Sequence, residues 1–328
     1  MTYSPPFKVS AKAIGMVAEI SALIERYAIR MEQEDSLRLR KANRIKTIQG
    51  SLAIEGNKLS ESQITAILDG KQVVAPIREI QEVKNAIAAY DLYPSLNPYS
   101  MDDLLKAHNA MMQALIDSPG QFRATGVGVV AGTEVIHMAP PAGRVPQLMA
   151  DLFNWLRRAE DHLLIKSCAF HYEFEFIHPF ADGNGRMGRL WQSLILGQLN
   201  PVFEHLPVEN MVYANQQGYY QAINQSSAAN DCGIFIDFML NEILQTLKQH
   251  QNAEGVGVNV GVNVGVKILE YIKQNPGCRA NAIAAAVGIT TRTVERHIRD
   301  LKERGEIEFR GAPKTGGYFV IASQADKL

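Results

Sequence analysis

Read for polarity alone, the chain opens on a helix. Apolar side chains recur at Ile14, Val17, Ile20, Leu23, Ile24 and Tyr27, a spacing of three to four residues that gathers them on one helical face. The same period returns over about 37–53, 76–93 and 101–116, and again over 145–158, 163–176, 186–199, 215–225 and 234–250. Breakers fall between these runs. Gly56-Asn57 follows the second run, and Pro94, Asn97 and Pro98 separate two later ones, each a residue type that stops a helix or cannot continue one. Ser60-Glu61-Ser62-Gln63 has the S-x-x-Q form of a capping box, with Gly70 placed where that short helix should end. One stretch breaks the helical rule: Gly126–Val130 and Glu134–His137 are β-rich runs around Ala131-Gly132-Thr133, the pattern of a hairpin. The predicted fold class is mainly α, an all-helical core carrying a small β-hairpin.

Length adds a division. A chain of 328 residues exceeds one ordinary domain, so two or three packed units are expected. The low-complexity run Gly255–Val266, built only of Gly, Val and Asn, alternates like a strand, but its glycines weaken any strand. It reads as a linker with room for one paired strand. Expected boundaries are an N-terminal helical region at 1–97, a core at 98–250, a linker at 251–265 and a C-terminal domain at 266–328. The charge follows this division: from Val266 onward there are 11 Lys and Arg against 7 Asp and Glu, a net +4, leaving −5 for the remainder of a chain whose total is −1. A basic appendage on an acidic body suits nucleic-acid contact. Cys168, Cys232 and Cys278 lie far apart and form no metal-ligand spacing, which fits a reducing compartment. No apolar run approaches the roughly 18 residues that span a bilayer, and the N-terminus lacks a leader pattern; the expectation is a cytoplasmic protein with no membrane partner.

The chemistry concentrates between two helical runs, in His178-Pro179-Phe180-Ala181-Asp182-Gly183-Asn184-Gly185-Arg186-Met187-Gly188-Arg189. A glycine-rich turn that opens a helix aims unpaired backbone N–H groups at one point, and the helix dipole adds positive potential there, so the turn favours an anion. Arg186 and Arg189 lie three apart on the following helix and can share a polyphosphate. Asp182, just before the turn, is placed to hold a divalent cation with those phosphates. His178, at the end of the preceding helix, can act as a general base near neutral pH.

This run resembles the signature of the Fic family, HxFx(D/E)GNGRxxR, at every fixed position. The flanks agree. Phe174, Phe176 and Ile177 precede it, Pro119-Gly120-Gln121-Phe122-Arg123 is similar to the family's segment before its flap, and Tyr219-Tyr220 is similar to a downstream aromatic pair. The likeness runs from about Ile45 to His250. It implies a protein adenylyltransferase: ATP binds with Mg2+, His178 takes the proton of a Ser, Thr or Tyr hydroxyl, and that oxygen attacks the α-phosphate as pyrophosphate leaves. Asp182 would hold Mg2+, and Gly183, Asn184 and Gly185 would cradle the α-phosphate. Arg186 and Arg189 would grip the outer phosphates, with Met187 and Gly188 completing that stretch, and Tyr219 or Tyr220 would line the adenine. Family members that transfer phosphate typically carry Lys where this chain has Gly185, so the resemblance favours AMP transfer.

Two further segments join the resemblance. Ser51-Leu52-Ala53-Ile54-Glu55-Gly56-Asn57 puts a Ser and a Glu on one helix face and a carboxylate at a helix C-terminus, where the dipole disfavours it. It is similar to the inhibitory helix, here about 37–57, of Fic proteins whose brake precedes the core. Glu55 would then pair with Arg189 in the γ-phosphate position, with Ser51 beside it. In some members the same Glu helps water remove AMP, so de-modification is also implied. The hairpin near 125–137 stands where the family keeps its flap, and Val135, Ile136 and His137 would pair with a target backbone.

The C-terminal pattern is helix at Val266–Gln274, helix at Ala280–Val287, a turn at Gly288-Ile289, then a basic helix from Thr290 to Leu301. Two strands, at Ile307–Arg310 and Gly317–Val320, flank Gly311–Gly316. The layout is that of a winged helix-turn-helix. Arg292, Arg296, Arg299 and Lys314 would face DNA; a protein-docking module is the other reading. The sequence thus predicts an autoinhibited adenylyltransferase acting on a target protein and on itself, with a homodimer left open. A nucleotide-sensing DNA-binding regulator and a phosphotransferase toxin are the alternatives.

Overall fold

The computed structural model describes residues 3–33, 36–131, 134–204, 206, 208–255, 268–269, 271–287, 291–303, 306–312 and 316–320. The chain divides into two compact units, Met1–Leu247 and Lys248–Leu328. The first is helical: α1 Ala11–Gln33, α2 Ser36–Ile54, α3 Glu61–Leu68, α4 Ile77–Asp91, α5 Met101–Met112, α6 Val145–Arg158, α7 Leu163–Ile177, α8 Asn184–Gly197, α9 Val208–Ala214, α10 Gln216–Ala229 and α11 Gly233–Gly255, the last crossing into the second unit. Among the described residues one antiparallel pair interrupts it, β1 Gly128–Ala131 with β2 Glu134–Met138, irregular in register between Val129 and Val130.

Helices α7 and α8 form the centre. From Leu164 to Phe174 every residue of α7 is buried, and from Arg186 to Leu196 every residue of α8 is buried. A helix without a solvent face belongs in the middle of a bundle, and these two pack chiefly on each other. Between them run residues 178–183, so a buried, mutually packed pair of helices holds the turn that carries the conspicuous motif. Around the pair, α2 packs on α9 and α4 on α5. The capping box at Ser60 forms as its sequence predicts: the Gln63 backbone N–H donates to the Ser60 hydroxyl and the Ser60 backbone N–H donates to the Gln63 side chain. Helix α9 has no counterpart among the predicted helices. Its seven residues are too few to show a period, and burial of Met211 and Val212 specifies it instead.

The second unit has its own core of Ile268, Ile272, Ile283, Val294, Ile298, Leu301 and Ile307. Helical backbone at 268–269 and 271–274 precedes α12 Ala280–Val287 and α13 Thr291–Glu303, and Val294, Ile298 and Leu301 form the buried stripe of α13. Strands β3 Ile307–Arg310 and β4 Gly317–Val320 pair antiparallel, and Cys278 bridges to Tyr318. Gly317 must be glycine, because a Cβ there would overlap the Gly277 carbonyl. The predicted linker begins as helix, since α11 continues to Gly255, and its remainder, 256–265, lies outside the described residues.

Candidate functional site

The turn between α7 and α8 is held from three sides. Asn184, nearly fully buried, donates its side-chain amide to the Phe180 carbonyl at 2.9 Å, and its carboxamide oxygen accepts from the Phe180 N–H at 2.8 Å. That reciprocal pair closes the loop, so what Asn184 offers a ligand is its backbone N–H. Beneath the loop, His108 of α5 stacks on Phe180 with ring centroids 3.6 Å apart. The Gly120 N–H donates to His108 Nδ1 at 2.8 Å, which leaves the ring proton on Nε2, 3.0 Å from the Asp182 carbonyl. Burial pushes the His108 pKa down to about 4, so the ring stays neutral and works as a strut. Gly183 completes the turn at φ +85°, with Met112 Sδ 2.6 Å from where a Cβ would stand.

The first intrahelical bond of α8 runs from Met187 N–H to the Gly183 carbonyl, so the amides of Asn184, Gly185 and Arg186 point out of the helix start as donors for an anion. Asp182 faces the same space. Its Oδ1 accepts from the Gly183 N–H at 2.6 Å and from Arg186 Nη2 at 3.1 Å, while Oδ2 lies 3.6 Å from Arg78 Nη2 of α4. Among the described residues no three His, Cys, Asp or Glu side chains cluster as a metal cage. One half-exposed carboxylate beside an anion hole suits a magnesium ion that arrives on phosphates, which takes one or two protein carboxylates and fills its shell with phosphate and water.

His178 caps α7 in the left-handed region, at φ 49° and ψ 63°, an uncommon conformation for a side-chain-bearing residue. Arg123 maintains it. This buried guanidinium donates from Nε to the His178 carbonyl at 2.7 Å and from Nη2 to the Ile177 carbonyl at 3.3 Å, and it also reaches the carbonyls of Thr125 and Pro140 on either side of the hairpin. Glu175 stands one turn back, its Oε2 3.9 Å from His178 Nδ1.

Arg186 and Arg189 are both almost fully buried but partnered differently. Arg186 stays within its own loop on Asp182. Arg189 reaches across to the end of α2, where its Nη2 donates to the Ser51 carbonyl at 3.0 Å and to Glu55 Oε1 at 2.8 Å. Burial alone would lower the Arg189 pKa; the Glu55 carboxylate reverses this and the group sits above its ordinary value. Glu55 Oε1 also lies only 2.7 Å from where a Cβ on Gly185 would stand, so the carboxylate occupies the mouth of the anion turn and a glycine makes room for it.

Other predicted site residues lie elsewhere. Met187 is wholly in the core, and Gly188 faces Glu175 and His171. Tyr219 is buried, its hydroxyl 3.0 Å from His171 Nε2, whereas Tyr220 is half-exposed beside it. Val135, Ile136 and His137 lie in β2, whose only partner among the described residues is β1. Arg299 is exposed on α13; the side chains of Arg292 and Arg296, and all of Lys314, lie outside the described residues. Sequence reasoning passed over Arg78, His108, Arg123 and Glu175 as site residues. Arg78, His108 and Arg123 reach the turn across long separations in the chain, which no local pattern reveals, and Glu175, three residues before His178, is a single acidic residue between Phe174 and Phe176.

Comparison with known proteins fits this geometry. Residues 98–196 match the Fic/DOC family, and residues 265–308 match a winged helix-turn-helix DNA-binding family. The chain is 40% identical to a Fic family protein from Desulfovibrio desulfuricans G20, whose crystal structure aligns with a TM-score of 0.76 over 98% of this chain and 99% of that one. It is 36% identical over 173 residues to the protein adenylyltransferase fic-1 of Caenorhabditis briggsae, and 29% over 205 residues to the protein adenylyltransferase Fic of Nematostella vectensis. These alignments take in 48% and 58% of this chain but 33% and 45% of the relatives, so the chain spans less than half the length of either. Among the described residues no helix is long and apolar enough to cross a membrane.

Proposed function

The chain belongs to the Fic family, and from that premise we propose that it is an autoinhibited protein adenylyltransferase, moving AMP from ATP to a hydroxyl of a target protein and of itself. One observation carries the reading: Glu55, 134 residues away in the chain, forms a 2.8 Å ion pair with Arg189 at the mouth of an anion turn. A carboxylate there competes with a phosphate for the same guanidinium.

When Glu55 swings away, the amides of Asn184, Gly185 and Arg186 receive phosphate oxygens, and Arg186 and Arg189 take the outer phosphates. Asp182 would hold the magnesium ion that neutralises charge on those oxygens. The target hydroxyl oxygen attacks the α-phosphorus, its proton passes to His178, and pyrophosphate leaves; fixed donors around the oxygens supply most of the rate. The open edge of the β1–β2 hairpin would set the target backbone in line, with Val135, Ile136 and His137 as its docking strand. Tyr220 is the better placed of the two tyrosines for an adenine, because Tyr219 is committed to His171. The C-terminal unit is proposed to bind DNA through α13 and to decide where the enzyme acts.

The test is labelling of the Glu55→Gly protein with α- or γ-labelled ATP, with His178→Ala as the blank. Label from the α position alone supports adenylyl transfer. Label from the γ position would make the protein a phosphotransferase, and no label from either would leave a nucleotide-sensing regulator.

A further inference from the structure

Glu175 has no role in the reaction just derived, yet its setting is built. Its side chain is 11% exposed, and its Oε1 is buried with no hydrogen-bond partner among the described residues. The space it occupies depends on Gly188, where a Cβ would stand 2.9 Å from that oxygen. Stranding a carboxyl oxygen in a dry site costs free energy, and such sites are where functional acids are found.

The neighbours narrow what this acid can serve. His171 Nε2 is 3.9 Å from Oε1, but that ring carries its proton on Nδ1, 2.6 Å from Gln192 Oε1, and its Nε2 accepts from the Tyr219 hydroxyl. It has no proton to give Glu175. The Arg189 guanidinium is committed to Ser51 and Glu55. Among the described residues His178 Nδ1 is a further donor in reach, 3.9 Å from Oε2 and three residues on. At that distance no hydrogen bond is formed, and an approach of about 1 Å would form one.

We propose that Glu175 is a positioning residue for His178: its carboxylate accepts the Nδ1 proton, fixes the tautomer with Nε2 as the basic nitrogen, and stabilises the imidazolium formed when Nε2 takes the target's proton. This rests on the adenylyltransferase reading. The logic is that of a carboxylate behind a catalytic histidine. The groups facing the carboxyl are His171 and His178 of its own segment, Arg189 of α8, Glu55 beyond α2, and Tyr219 and Tyr220 of α10. Burial raises the Glu175 pKa to about 7, with Glu55 adding to the rise and Arg189 opposing it. Because the folded value lies above the ordinary 4.5, this group's contribution to stability is present below that pH and is lost as pH climbs through about 7.

The sign of that linkage separates function from structural support. In the full-length Glu55→Gly background, Glu175→Gln should lower kcat about tenfold to a hundredfold with little change in KM for ATP. The same variant should melt higher than its parent at about pH 8, where the parent carries a buried charge. Nitrogen-15 spectra of the His178 ring should show the Nδ1-protonated tautomer in the parent and a mixture in the variant. Unchanged kcat, or a lower melting temperature at about pH 8, would overturn the proposal. If the Glu55→Gly parent takes up no label from α-labelled ATP, the adenylyltransferase reading fails on its own, and the ring tautomer and the sign of the stability change then decide the pairing by themselves.

Discussion

Charge is used in opposite ways in the two units. In the helical body, Arg123, Arg186 and Arg189 are each about nine-tenths buried or more, and every one has named partners that leave it little freedom. In the C-terminal unit, Arg299 is exposed, and the exposed Arg310 pairs with Glu308 two residues away at 2.8 Å and stacks over Phe319. A buried guanidinium is costly unless its place is fixed, so its partners report its job. An exposed one is screened and mobile, and its job depends on what arrives. The contrast suits the two proposed roles: fixed arginines for one reaction in the body, and exposed ones for a class of partner in the tail.

The sharpest way to break this comparison is at the base. Replacing His178 by Ala in the Glu55→Gly protein should lower AMP incorporation by about 10²–10⁴-fold, measured as label per protein per minute; persistence of most of the activity would mean the ordered charges around the turn are not the machine. Next in size is the brake itself. Glu55→Gly should raise auto-modification by roughly 5–150-fold, the range of ordinary coupling energies between linked sites, and an unchanged rate would make the Arg189 pair merely structural. Asn57 offers a milder handle. Its amide donates to the Glu79 carbonyl and to Glu82 Oε2, and its oxygen accepts from the Leu59 N–H, pinning the chain just after Glu55. Asn57→Ala should cost about 1–3 kcal/mol of stability, visible as a fall of a few degrees in Tm, and should raise basal labelling by less than Glu55→Gly does. Smallest is the tail: Arg299→Ala should reduce the salt dependence of DNA affinity by roughly one counterion, whereas Arg310→Ala, already neutralised by Glu308, should leave it alone. Equal effects from the two would erase the distinction between a free arginine and a paired one.

What the sequence made legible follows the same divide between near and far. The helical period, the capping box at Ser60 and the pairing of β1 with β2 are local patterns, and each appears in the structure. The motif from His178 to Arg189 was legible because one turn and one helix start contain its geometry. The pairing of Glu55 with Arg189 is not local, and it was anticipated only through resemblance. Arg123 entered only as the last residue of a resembling segment, with no role attached, and Glu175 and His108 fell outside even that, since a buried carboxyl beside Phe174 and Phe176 reads as ordinary helix, and no periodicity announces that Gly188 has cleared a space for it. Helix α9 was missed for the converse reason: contact with α2, rather than its own sequence, decides its shape.

Arg123 has one more consequence. The same planar fork grips the backbone at Ile177 and His178 and the two ends of the hairpin at Thr125 and Pro140. It therefore acts as a gauge block between the surface that would receive a target and the atom that would deprotonate it. With that spacing fixed by main-chain carbonyls, residues in between are free to vary without recalibrating the chemistry. A lineage of such enzymes could exchange clients by rewriting the hairpin while the workbench stays level.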